Sequence, residues 1–355
     1  MNTVNKNNSI TLWRIVFTYL IMIFHFDNVY VIFQEFNLTL GWYIAVEFFF
    51  IVSGYLLYAN LDRLSQKCHS GWDYFVYRFK KIYPFYLGAF LISLILYTIG
   101  NHIFTPKNIL DILSTKYFEL FAMHAIGLDV GWSNINNTSW FICIMFIAGF
   151  IIFHCLVKWK DNFINFVAPL IIIISFSYLY RYMGGLGAVV QISGVYENQP
   201  LMRGLADMCL GIFAARLNGY IVANCKKLRW IKLAGVLGFL FVILFSAKYG
   251  NSTRDFLFAI VLTVSVGIGF LPSEHKLFES KLLQYWSNIT LSIYLLHDVF
   301  RSIVFPKFIG YTPHLSVKFV YMGLYLVVVT VSAVIFDALI KWLLRTGKVV
   351  LSKLV

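Results

Sequence analysis

The first residues able to do chemistry sit in one apolar segment. WRIVFTYLIMIFHF carries Arg14 and, eleven residues later, His25. On a helix eleven steps close three turns with about 20° left over, so both side chains share a face, about 16 Å apart along the axis. A guanidinium there steers an anion, and an imidazole takes and gives protons near neutral pH. The next segment, AVEFFFIVSGYLL, carries Glu47 at a depth similar to that of His25. A carboxylate beside an imidazole fixes its tautomer, so Glu47 is expected to orient His25; the competing reading is a structural pair with another helix. Ser53 and Gly54 follow, and small residues there read as helix packing.

Further polar groups lie along the chain. YRFKKIYPFY clusters Arg78, Lys80 and Lys81 ahead of Pro84, which is expected to open the third spanning helix. Such a cluster suits a phosphate-bearing ligand, and it equally suits ordinary charge asymmetry between loops. Trp140 in NNTSWFICIMF sits at an outer boundary, where an interfacial aromatic belt is expected. YWSNITLSIYLLHDVF places His297 and Asp298 near mid-membrane, one turn after Tyr294. Arg203 and Asp207 are four residues apart and expected to pair internally, as are Asp337 and Lys341.

The elements that position these groups follow from composition. The chain has 355 residues, 60% of them hydrophobic and only 13% charged, with a mean hydropathy of +0.75. A soluble chain carries about a quarter charged residues, so the charge to wet a soluble surface is missing. Disordered, collagen-like and coiled-coil classes fail on the same ground. Spans of about 20 apolar residues recur about ten times. They fall near 10–31, 41–61, 83–100, 139–157, 164–182, 201–217, 231–248, 255–271, 287–305 and 317–342. The expected fold is all-α and polytopic, one integral-membrane domain over 1–355 with no appended soluble domain. The longest gap, 101–138, is rich in Asn and Gly toward its end (Gly127, Gly131, Asn134, Asn136, Asn137).

The net charge of +13 reads as basic cytoplasmic loops rather than nucleic-acid binding. Alternation of the spans puts Arg63, Lys67, Arg78, Lys226, Arg229, Lys276 and Arg345 on one side, so both termini are expected in the cytoplasm. The five cysteines are scattered and lack a C-x-x-C, which points to neither a disulfide framework nor a metal site.

Together these segments resemble the membrane-bound acyltransferase family 3, which includes bacterial O-antigen, capsule and peptidoglycan O-acetyltransferases. The matching features are Arg14 with His25, the FFFIVSGYLL stretch after Glu47, YRFKKIYP, the SWF at 139–141 and LSIYLLH ending at His297. Two features depart from the family pattern. Lys81 stands where an arginine is common, and Met145 lies near a place where many members carry a glutamate.

The resemblance implies transfer of an acyl group, usually acetyl, from cytoplasmic acetyl-CoA (or another acyl-CoA) to a hydroxyl of a cell-surface or exported glycan. It implies His25 as general base or transient acyl carrier, Glu47 as its orienter and Arg14 as charge stabiliser. Arg78, Lys80 and Lys81 would meet the CoA phosphates, with Trp140, His297 and Arg203 toward the acceptor. No metal is expected. The expected location is the plasma (inner) membrane, among its lipids, with self-association left open. The rival class is a glycolipid or polysaccharide flippase, and the absence of a visible internal repeat weighs against it.

Overall fold

The computed structural model describes residues 8–123, 135–187, 199–273, 275–308 and 314–354, with side chains to 347. Of the Asn- and Gly-rich stretch singled out above, Gly127, Gly131 and Asn134 lie outside the described residues; Asn136 and Asn137 lie within them. The described residues are mostly helical, with no strand among them.

The helices in order are α1 (Ile10–Tyr30), α2 (Ala45–Ala59), α3 (Leu61–Ser65), α4 (Gly71–Gly100), α5 (Pro106–Thr115), α6 (Tyr117–Leu120) and α7 (Trp140–Asn162). They continue as α8 (Ala168–Met183), α9 (Gln199–Asn224), α10 (Leu228–Ser246), α11 (Arg254–Gly269), α12 (Lys281–Val299) and α13 (Leu315–Leu354). Every expected span falls on a helix. Eight segments among the described residues are long and apolar enough to cross a membrane. One of these, Asn137–Met183, is 47 residues long. As one straight helix it would extend about 70 Å, more than twice a bilayer core. Trp159, at φ −141° and ψ 45°, breaks it, so α7 and α8 count separately. α11 has 16 residues, short of a full span of about 20.

Two local differences from the sequence reading have clear causes. Pro84 does not open its helix. α4 starts at Gly71 because Ser70 caps it: Asp73 N donates to Ser70 Oγ (3.2 Å), and Ser70 N donates to the Asp73 carboxylate (3.0 Å). Pro84 therefore lies inside α4, where it removes one backbone donor. Arg78, Lys80 and Lys81 consequently ride on a helix rather than in a loop. The gap after α4 is also not plain loop, since α5 and α6 occupy part of it.

Packing centres on α9, which contacts α2, α7, α8 and α11. The α2–α9 contact is backbone against backbone. A Cβ on Gly54 would lie 2.0 Å from the Met208 carbonyl oxygen, and one on Gly211 would lie 2.2 Å from that of Ile51. The Glu47–Arg203 pair and the Gly54–Met208 contact advance together along both helices, so α2 and α9 run parallel. α10 and α13 form the periphery. Leu233, Leu237, Leu240 and Leu244 make an exposed stripe on α10, as do Val320, Leu324, Val327 and Val331 on α13. Apolar stripes of this size belong against lipid rather than water.

Candidate active site

The chemistry gathers along the seam of α1 and α12. Arg14 Nη2 donates to Thr290 Oγ1 (3.3 Å), and the His25 ring lies against that of His297 with centroids 5.3 Å apart. Both contacts advance in the same direction, so α1 and α12 also run parallel. Arg14 and His25 thus share one face, and that face meets α12. His25 is half-buried, whereas His297 is wholly buried.

Near Arg14 the seam meets α4. The Arg14 guanidinium is close enough to that of Arg78 to be repelled by it. Arg78 Nη2 lies 3.8 Å from the Met145 sulfur. Neither guanidinium has a carboxylate partner among the described residues. Two guanidiniums within electrostatic reach of each other and without an acid suit an anion, because most of the charge-assisted hydrogen bonds they can give remain unspent. The other two basic residues behave differently. Lys80 is exposed, and Lys81 lies over the Tyr77 ring (4.1 Å to its centroid). The expected trio is therefore divided, with Arg78 turned inward and both lysines on the surface.

Near His25 the seam is held by two buried carboxylates. Asp298 pairs with Arg301 (Nε–Oδ1 2.9 Å) and accepts from Asn137 N (2.9 Å). Glu119 accepts from Ile135 N (2.9 Å) and Asn136 N (2.6 Å). Asn136 Nδ2 reaches the Leu295 carbonyl (2.7 Å), and Tyr294 OH donates to that of Thr138. The segment leading into Trp140 is thereby clamped onto α12. Asp298 was noted in the sequence without a role; Glu119 and Arg301 were missed. Arg301 carries a readable signal, an i,i+3 spacing from Asp298. Glu119 carries none, because the backbone N–H groups of Ile135 and Asn136 have no side-chain signature.

Glu47 stands elsewhere, which corrects the expectation that it orients His25. Its carboxylate is ion-paired with Arg203 on α9, both side chains almost fully buried. The carboxylate within electrostatic reach of His25 is instead Asp298. Arg203 also reaches the Tyr43 carbonyl (3.5 Å) and sits over the Trp140 ring, 5.6 Å from its centroid. The internal Arg203–Asp207 hydrogen bond does not form. Arg203 crosses to Glu47, and both Asp207 carboxylate oxygens lack a hydrogen-bond partner among the described residues. Trp140 is 6% exposed, so it lies inside the bundle rather than in a lipid-facing belt. The Asp337–Lys341 pair forms as expected (2.6 Å).

The described residues thus form an all-helical bundle with an arginine–histidine seam along its interior. The chain matches acyltransferase family 3, an acyltransferase domain, over residues 7–338, and it belongs to that family. No curated protein and no solved structure matches it.

Proposed function

We propose that this membrane acyltransferase moves an acyl group, acetyl in the simplest case, from cytoplasmic acyl-CoA to a hydroxyl of a cell-surface or exported glycan. On this reading it is a multi-pass protein of the plasma membrane with both termini in the cytoplasm. The observation that carries the proposal is the seam itself. It joins a pair of acid-free guanidiniums, Arg14 and Arg78, to a pair of imidazoles, His25 and His297, along one face of α1.

The guanidiniums suit the phosphates of CoA or the oxyanion that develops on a thioester carbonyl. His25, half-buried and without a protein hydrogen bond among the described residues, suits proton removal from an acceptor hydroxyl or transient carriage of the acyl group. Trp140, with Arg203 over its ring, is assigned to the acceptor side. The surface lysines, Lys80 and Lys81, supply long-range attraction for an anionic donor.

The test uses membranes containing the full chain, radiolabelled acetyl-CoA and the host's surface polysaccharide. Label is expected in polysaccharide, in base-labile linkage, with the wild-type chain. His25→Ala is expected to abolish it while the protein accumulates normally. Normal labelling by that variant sinks the role of His25. No labelling by the wild type, with polysaccharide still exported through it, returns the chain to the flippase class.

A further inference from the structure

We propose that His297 is the positioning residue for His25. Its Nε2 accepts a hydrogen bond from one ring N–H of His25, so the other His25 nitrogen is left as a bare lone pair turned to the reacting hydroxyl. The proposal rests on the acyl-transfer reading above and assigns to α12 the orienting part that the sequence suggested for Glu47.

The argument begins with the tautomer of His297. Its Nδ1 lies in hydrogen-bond contact with the Tyr294 carbonyl oxygen. A carbonyl only accepts, so Nδ1 carries the proton. A neutral imidazole has one N–H, which leaves Nε2 as an acceptor. That atom is buried and has no hydrogen-bond partner among the described residues. An unpaired acceptor in the interior is costly, so a donor belongs there.

The donors and charged groups around it are otherwise engaged. Tyr294 OH is given to Thr138, and Tyr325 OH, from α13, to the His297 backbone carbonyl (3.1 Å). Arg301 and the Asn137 N–H are both held by Asp298. His25, approaching from α1, is the neighbour with an uncommitted N–H. Its ring lies 5.3 Å from that of His297, centroid to centroid, tilted by 38°. The proposed hydrogen bond requires the His25 ring to turn from this position so that an N–H faces Nε2.

With His25 so held, the proton balance of the transfer is simple. The acceptor O–H bond breaks, and its proton goes to the bare nitrogen of His25. The oxygen forms a bond to the acyl carbon, the C–S bond of the thioester breaks, and the thiolate takes the proton from His25. His297 stays neutral throughout and steadies the His25 imidazolium from the opposite side. Loss of the correct tautomer in a hydrolytic triad costs about 10⁴ in turnover, which bounds the expected effect.

The experiment compares the full chain with His297→Asn, which keeps a donor toward Tyr294 but removes the acceptor at Nε2, and with His297→Gln, whose amide oxygen reaches that place. Imidazole ¹⁵N spectra of the detergent-solubilised protein, with His25 assigned by its loss in His25→Ala, read the tautomer without substrate. One His25 tautomer is expected in the wild type and in His297→Gln, and a mixture in His297→Asn. With acetyl-CoA, kcat is expected to fall by about 10² to 10⁴ in His297→Asn, at unchanged KM, and to recover in part in His297→Gln. A His25 spectrum unchanged in His297→Asn, or a His297→Gln variant no closer to wild type than His297→Asn, overturns the proposal. If the spectra behave as stated and the wild type transfers no label, the positioning holds and the acyl-transfer reading fails.

Discussion

Glu47 and Arg203 show how much a single buried pair decides. An ionised carboxylate at membrane depth is expensive alone, and removing one partner of a buried pair costs about 3–5 kcal/mol because the survivor is left uncompensated. Glu47→Ala is therefore expected to lower the thermal midpoint of the detergent-solubilised chain sharply. Glu47→Ala combined with Arg203→Leu is expected to recover part of that loss, since no orphan cation remains. A double variant no more stable than the single one would show that the pair carries little of the stability. At this scale the sequence was legible for two relations within single helices and failed for a third, Arg203 with Asp207, where Glu47 from another helix takes the guanidinium. Arg14 and His25 share a face, and Asp337 and Lys341 pair, because helical geometry alone fixes both outcomes. The partner of Glu47 was not legible, because 156 residues separate it from Arg203 and no local periodicity links them.

At the scale of elements, the parallel contact of α2 with α9 is the tightest constraint. Gly54 and Gly211 bring the two backbones together, and a methyl group at either place meets a carbonyl oxygen that cannot yield. Gly54→Ala is expected to cost about 1–3 kcal/mol through overpacking. Gly323 on α13 has nothing within 4 Å of where its Cβ would stand. Gly323→Ala is therefore expected to be neutral or slightly stabilising through helix propensity alone. Thermal unfolding of the two variants in detergent separates these effects, and equal midpoints would argue against close α2–α9 contact. The sequence reading of Ser53 and Gly54 as packing residues agrees with this geometry. Its reading of Pro84 as a helix start does not, although the correct start was visible: Ser70 with Asp73 three residues on has the form of a capping box.

For the whole molecule, recurrent apolar runs of about 20 residues were enough to read an all-α membrane bundle, because they lack the alternation of barrel strands and satisfy their backbone in a bilayer as helices. Which helix sits beside which was hidden. Helices that are apolar all round present no stripe to tell core from lipid. The structure makes that distinction on α10, where Leu237 faces outward and Phe239 inward. Leu237→Arg is expected to cost about 2.5–3.5 kcal/mol of insertion free energy while sparing acyl transfer in the fraction that inserts. An insertion assay on the α10 segment, run beside specific activity per inserted molecule, checks both halves. A large loss of specific activity would move Leu237 from the lipid face to the interior.

The parallel pairing of α2 with α9 also sets a schedule. Glu47 is synthesised 156 residues before Arg203. At 5–20 residues per second, α2 leaves the ribosome about 8–30 s before its cation exists. Through that interval the nascent chain holds a carboxylate that no finished part of itself can match. α2 is therefore a helix whose place in the bilayer is ratified late, when α9 arrives. A chain stalled before residue 199 would present the cell's membrane quality control with an acid exposed to lipid, a mark that distinguishes unfinished copies from complete ones.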